Sequence, residues 1–407
     1  MRFKSWIFAM ALIVIAACEY EGWFYDEPEK LDELLGDWQR RAAFPMSGRC
    51  HAATFVIDNS GYVVSGFTPN NPPSSHFFRF DHLAGDDVIG QSDRLMGKMG
   101  QWISLTPLSS NIVRQQAVGF SLKRASDNKE YGFVGTGWVF NRNTDFPYEY
   151  ETTRDFWRYD PSKEETDEDA WIQVTTMPQA ALPRRGAFAF SLEVNGKMYG
   201  YVGGGYTDRP DNQYLRDLWE YDPDGEDGYG SWSQIDTPFE RRVGSVVFVI
   251  DNRAYICNGA NPGLINDFWV FDPEGARLGG VLWTQKRTMN NGHPHENYDG
   301  EYRMLGRSFG VAFVVHASGS KPRGHIVGGS QGVAASCWEY NEDNDLWTQR
   351  TFFFNNMNRQ NREGMVSFTF PKTGRAFVGM GRAGVSAYFD DIWEFIPLIN
   401  DEVYSDL

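Results

Sequence analysis

Residues 184–235 hold four short segments in succession: RRGAFAF (184–190), KMYGYVGGG (197–205), DLWEYDP (217–223) and SWSQI (231–235). The first alternates with a period of two, and the second runs into three glycines. The third ends on Asp222-Pro223, a turn-forming pair, and the fourth is short and carries Trp232. Each reads as a strand bounded by turn residues. Four such strands in about 50 residues predict one antiparallel sheet, the unit size expected of a repeat architecture.

The unit recurs in both directions. Upstream, a copy begins at Arg114 and continues through Gly135-Thr136-Gly137, Asp155–Pro161 and Trp171-Ile172-Gln173. Downstream, one begins at Arg242 and includes Asn258-Gly259, Asp267–Pro273 and Trp283-Thr284-Gln285. The next begins at Arg307 and includes Gly328-Gly329, Cys337–Tyr340 and Trp347-Thr348-Gln349. A more divergent first copy has Arg49, Ser65-Gly66, Phe78–Asp81 and Trp102. The last begins at Arg362 and stops after three strands, with Gly379-Met380-Gly381 and Asp391–Phe395. Its missing fourth strand matches Gly36–Arg40 (GDWQR) at the other end of the chain. The prediction is an all-β, six-bladed β-propeller of four-stranded blades, closed by an N-terminal strand. Closure removes the open sheet edges that would otherwise recruit other chains.

Composition agrees. Glycine accounts for 42 of 407 residues, above the usual ~7%. Eleven of the 14 tryptophans fall at two repeated positions, five in third strands and six in fourth strands. Four cysteines are too few for a disulfide scaffold. Cys50, Cys257 and Cys337 are expected as buried free thiols. The net charge of −16 argues against a nucleic-acid partner, which would need a basic face.

At the N-terminus, Arg2 and Lys4 precede the apolar run 6–17, which ends Val14-Ile15-Ala16-Ala17-Cys18. This reads as a signal peptide over 1–17, too short to span a bilayer comfortably. Cys18 directly after small residues resembles a bacterial lipobox. That resemblance implies acylation of Cys18, a tether over 18–33, and anchoring in the cell envelope by lipid alone. Glu19 and Glu21 resemble the surface-export signal of Bacteroidota lipoproteins. Loss of residues 1–17 removes Arg2 and Lys4, taking the charge from −16 to −18. The propeller is expected over 34–398, with a tail over 399–407.

The Gly-Gly pair, the aromatic-x-aromatic third strand and the tryptophan of the fourth strand together resemble the kelch repeat. The departures are Phe78 where tryptophan is usual, Asn258-Gly259 for Gly-Gly, and Cys337 for the aspartate before Trp338. The resemblance implies a fold; kelch propellers host binding proteins and enzymes alike.

In a propeller the first strand lines the central channel. Arg49, Arg114, Arg185, Arg242, Arg307 and Arg362 each begin a copy, and so are expected to ring the channel mouth. Guanidinium groups suit carboxylate, phosphate or sulfate. The other reading of the same residues is internal: arginines that bond carbonyls or carboxylates of the next blade. Loops 138–153 and 206–214 open on the same face and carry Trp138, Tyr148, Tyr150, Tyr206 and Tyr214 beside Asp145, Asp208 and Asp211. Aromatic plates with carboxylates suit sugar rings. His293 and His295 form the one close histidine pair, but two ligands do not define a metal site. No metal or cofactor is expected.

Two functions follow. The favoured one is a monomeric, lipid-anchored propeller binding a glycan, an acidic peptide or an envelope protein at its channel mouth. The alternative is an enzyme resembling N-acetylneuraminate epimerase, with Glu363 the nearest base to the arginines; no other catalytic residue is assignable from the sequence.

Overall fold

The computed structural model describes residues 35–397, apart from 70–72, 89–96, 142–148, 165–169, 212, 291–299, 316–320, 332–334 and 354–360. The signal segment, Cys18, the tether, Tyr148, His293, His295 and the tail lie outside the described residues.

Among the described residues there are six four-stranded antiparallel sheets. Blade 1 comprises Ala53–Ile57, Ser60–Val64, Phe77–Asp81 and Gln101–Ser104. Blade 2 comprises Val118–Lys123, Glu130–Gly135, Phe156–Tyr159 and Trp171–Val174. Blade 3 comprises Phe188–Val194, Lys197–Gly203, Leu218–Asp222 and Ser231–Ile235. Blade 4 comprises Val246–Ile250, Arg253–Cys257, Phe268–Phe271 and Trp283–Gln285. Blade 5 comprises Val311–Val315, Arg323–Val327, Cys337–Asn341 and Leu346–Arg350. Blade 6 comprises Val366–Phe370, Arg375–Gly379, Ile392–Ile396 and, from the other end of the chain, Asp37–Arg40. The innermost strands touch in sequence, and that of blade 6 touches that of blade 1.

Two sets of backbone hydrogen bonds close the ring. In the first, the second residue of each glycine-type pair donates its N–H to the carbonyl of the arginine that opens the next blade. The donors are Gly66, Gly137, Gly205, Gly259, Gly329 and Gly381, and the acceptors Arg114, Arg184, Arg242, Arg307, Arg362 and Arg49. All six donors have φ between +90° and +126°, a region glycine enters without steric cost. In the second, six axial residues bond head to tail around the channel. His51 donates to Gly364, Gly364 to Phe309, Phe309 to Gly244, Gly244 to Gly186, Gly186 to Gln116, and Gln116 back to His51.

Aromatic side chains fill the space between blades. Phe55, Tyr62, Phe77 and Tyr159 form one such layer between blades 1 and 2. The closing strand is held by more than its ladder. Trp38 meets Phe313, Phe353 and Phe395 edge-on, and its indole donates to Thr351. Arg41, next to the strand, pairs with Glu394 on the strand it joins, and Arg375 binds the same carboxylate. Both Arg41 and Glu394 are buried. Cys50, Cys257 and Cys337 are buried free thiols, as expected from their strand-like contexts.

Candidate functional site

The arginines that open the blades do not ring the mouth as free cations. Arg114, Arg242 and Arg362 are at most 1% exposed, and each is bound to an aspartate of its own blade: Asp155, Asp267 and Asp391. In blade 3 this place belongs to Arg184, fully buried and bound to Asp217. The two guanidinium nitrogens of each lie 2.5–3.0 Å from the two carboxylate oxygens. In three blades the same aspartate also accepts the indole N–H of the third-strand tryptophan, Trp157, Trp219 or Trp269. Burial works against ionisation of Asp155, yet the Arg114 charge and its bonds hold that carboxyl below the usual range.

The partner aspartate sits two residues before the third-strand tryptophan. In blade 5 that position is Ser336, not Cys337. Arg307 is fully buried and is held by the carbonyls of Met304, Leu305, Gly328 and Ser336 and by the Ser336 hydroxyl. Burial without a carboxylate pushes its pKa down to about 10. In blade 1 the position is His76, and Arg49 bonds the Ser65 carbonyl and lies 3.3 Å from the His76 ring nitrogen. Burial lowers Arg49 to about 10 as well. These six buried arginines, with Arg184 in place of Arg185, are spokes inside the blades, which leaves no six-fold positive ring.

Arg185 is different because Arg184 has taken the internal position. Its side chain is 20% exposed. The guanidinium lies over the Trp138 ring (4.5 Å) and the Tyr206 ring (4.7 Å). It donates to Gln116 Oε1 at 2.8 Å. Its Nε has no hydrogen-bond partner, with Asp208 3.9 Å away. Burial lowers its pKa, opposed by Asp208, Tyr206 and Tyr214.

The loops on this face supply the aromatic wall. Trp138–Asn141 and Glu149–Thr152 form a hairpin that pairs with Arg114–Gln115, which places Trp138 beside the channel. Tyr150 packs on Trp138 (4.9 Å), and Tyr214 meets Tyr206 edge-on (5.3 Å). Across the mouth, Glu363 forms an ion pair with Arg382, and the two residues are joined by backbone bonds.

Below them the axial ring bounds a cavity of about 120 Å³. Its six ring positions all have φ between +52° and +66°. Three are glycines (186, 244, 364) and three carry side chains: His51, Gln116 and Phe309. His51 is buried against the edge of Phe309, and burial lowers its pKa to about 4 despite the nearby Glu363 charge. It is therefore neutral at pH 7. Cys50, pushed up to about 12 by burial, remains a thiol and is a poor nucleophile.

Of the residues expected at the mouth, Arg185, Trp138, Tyr150, Tyr206 and Tyr214 are brought together; Arg49, Arg114, Arg242, Arg307 and Arg362 are not. His51, Gln116 and Arg382 were not singled out by the sequence. The spacing held a signal for two of them. Each buried arginine stands two residues before an axial residue, which marks His51 and Gln116 and assigns Arg184, not Arg185, to the internal position. Among the described residues no cluster of three or more metal-ligating side chains occurs.

No family model matches the sequence, and no curated protein matches it. Solved structures do match its fold. One is the structure of YjhT, with a TM-score of 0.58 and 15% sequence identity, covering 86% of this chain and 95% of that one. At that identity the likeness establishes the propeller fold and leaves function to the residues of the mouth.

Proposed function

We propose that this protein is a lipid-anchored envelope propeller whose channel mouth binds a carboxylate-bearing glycan. The observation that carries the reading is Arg185. Its guanidinium is flattened on two aromatic rings, tethered by Gln116, and carried on a side chain that stays 20% exposed at the mouth. A planar, permanently charged fork of this kind suits a carboxylate. Trp138, Tyr150, Tyr206 and Tyr214 offer apolar faces for the ring carbons of a sugar. In this reading the protein acts as a monomer and without a cofactor.

A second reading rests on a separate observation. Glu363 faces the same mouth, bound to Arg382 and near the neutral His51. A carboxylate and a neutral imidazole beside a bound sugar are the groups needed to move protons at its anomeric centre, which is the chemistry of an N-acetylneuraminate epimerase.

Calorimetric titration of the chain from residue 19 onward with N-acetylneuraminate, with an acidic peptide and with neutral N-acetylglucosamine tests the binding. The acidic sugar is expected to bind, and Arg185→Gln to weaken it roughly tenfold to a hundredfold, as befits loss of a charged hydrogen bond. Equal binding of the neutral sugar, or no effect of R185Q, overturns the reading. Tighter binding of the peptide shifts the ligand class. Accelerated anomer exchange of N-acetylneuraminate by NMR, lost in Glu363→Gln, would establish the enzyme instead.

A further inference from the structure

Below the aromatic wall of the mouth, three of the six axial positions carry side chains that the backbone does not favour. All six have φ between +52° and +66°, a region where a Cβ is strained and glycine is not. Gly186, Gly244 and Gly364 show that the ring closes without side chains. His51, Gln116 and Phe309 are nevertheless there, and strain retained in this way clusters where ligands bind. Two of them lie over the glycines beside them. A Cβ on Gly364 would stand 2.6 Å from His51 Nδ1, and one on Gly244 2.9 Å from Phe309 Cγ. The edge of Phe309 meets His51 at 5.3 Å. The imidazole is therefore fixed in place before any ligand arrives.

The polar groups here are not used up inside the protein. Gln116 accepts from Arg185 through Oε1, which leaves its amide N–H groups as donors. His51 is neutral, so its ring holds one donor and one acceptor. Among the described residues neither ring nitrogen has a protein partner, and neither is among the atoms sealed from solvent. His51 keeps 8% of its surface open. The ring residues are followed by Ala52, Ala117, Ala187, Ser245, Gly310 and Met365. Each stands one place before the first ladder pair of its blade. By strand alternation its N–H faces the inner edge of the innermost strand, which no strand covers. None of these six N–H groups has an acceptor among the described residues. All twelve residues line the axial cavity, which holds about 120 Å³. A pocket for a whole small ligand takes ~300–1,000 Å³, so this space admits part of one.

We infer that the axial cavity is a socket for a short hydroxylated arm of the ligand whose carboxylate Arg185 holds. The inference rests on the binding reading above and adds to it a second point of recognition. Backbone N–H groups and the Gln116 amide donate to the oxygens of the arm, and the acceptor nitrogen of His51 takes a hydroxyl proton in return. The sugar ring stays above, against Trp138 and Tyr206. Gln116 joins the two points: its Oε1 holds Arg185, and its backbone N–H bonds the His51 carbonyl. Glu363 and Arg382 neutralise one another nearby, so an uncharged arm suits the place.

Calorimetry on the chain from residue 19 onward tests this with a pair of probes. One is the methyl glycoside of N-acetylneuraminate, whose ring carries a three-carbon hydroxylated arm. The other is the same glycoside after mild periodate and borohydride, which cut the arm to one carbon. The shortened probe keeps the carboxylate and loses two hydroxyls, and should bind roughly five- to thirtyfold more weakly. His51→Phe should weaken the whole glycoside roughly three- to tenfold and leave the shortened one unchanged. Phe309 shows that phenylalanine is accepted at this backbone. Should H51F fail to fold, His51→Gly takes its place, since glycine stands at three equivalent positions. R185Q weakens both probes alike. Equal binding of the two probes, or a His51 variant that weakens both equally or neither, overturns the inference and leaves the carboxylate reading standing. Binding of neither glycoside overturns it too, while titration of the free sugar decides that reading separately.

Discussion

Replacing Ser336 by aspartate should stabilise the protein, because blade 5 lacks the carboxylate that blades 2, 3, 4 and 6 supply. Arg307 is fully buried with only carbonyls and one hydroxyl around it. Burial takes its pKa from 12.5 to about 10, a cost on the order of 3 kcal/mol at ~1.4 kcal/mol per pKa unit. Ser336 already occupies the aspartate's place: its hydroxyl meets Arg307 Nη2 at 3.1 Å and accepts the Trp338 indole at 3.0 Å. An aspartate there would accept both, as Asp217 does from Arg184 and Trp219. Its own desolvation offsets part of the gain, which leaves about 1–2 kcal/mol. With an unfolding entropy of about 2.1 cal/mol/K per residue over roughly 360 residues, the melting temperature should rise by about 1–3 °C. The new carboxylate's folded pKa would lie below its unfolded ~3.9, so the gain is present above pH 4 and is lost as pH falls further. Scanning calorimetry of S336D at pH 7 and pH 3 measures both effects. The reciprocal change, Asp217→Ser, should cost about 3 kcal/mol or more by leaving Arg184 without its counter-charge. A melting temperature lowered by S336D, or unmoved by D217S, would refute the view that these carboxylates sustain the spokes.

Three further outcomes are expected. Trp38→Ala should cost about 3–5 kcal/mol, since Trp38 packs on three phenylalanines and bonds Thr351; urea unfolding measures the loss. His51 is neutral in the fold down to about pH 4, while the unfolded chain takes up its proton near 6.5, so stability should fall by up to about 3 kcal/mol as pH drops from 6.5 to 4. His51→Gln should flatten that stretch of the pH–stability curve, and Gln116, at the equivalent ring position with φ +52°, shows that glutamine is tolerated there. Gly205→Ala should lower the melting temperature, because the backbone there sits at φ +106° and a Cβ would lie 3.0 Å from the Arg185 carbonyl oxygen.

The six-fold repeat was legible because each blade must bury aromatic plates at the same two strand positions. That need writes Trp157, Trp219, Trp269, Trp338 and Trp393 at one repeated position. It also made Trp38 recognisable as the missing fourth strand, and the pairing of Asp37–Arg40 with Ile392–Ile396 agrees. The site was less legible. Arg184 and Arg185 are chemically identical neighbours, and only the two-residue spacing to the axial position, unrecognisable until that position is known, tells which turns inward. An aspartate two residues before the tryptophan is visible in four copies, yet its meaning as a counter-ion requires knowing that the arginine is buried. Cys337 looked like the substituted residue because it adjoins Trp338, although strand alternation places Ser336 on the face that meets Arg307.

The buried Arg41–Glu394 pair bears on how the molecule is made. The two residues are 353 apart in the chain, an interval of roughly 20–70 s at ribosomal speeds of ~5–20 residues per second. Until the two ends meet, Ile392–Ile396 is an open edge ready to pair with any extended chain. An impostor strand without an arginine beside it would leave part of the Glu394 charge unmatched in a closed interior, with Arg375 as its remaining partner. The rightful strand arrives with Arg41 in register. The ion pair thus works as a password, letting the molecule recognise its own beginning and discouraging a neighbour's strand from completing the ring.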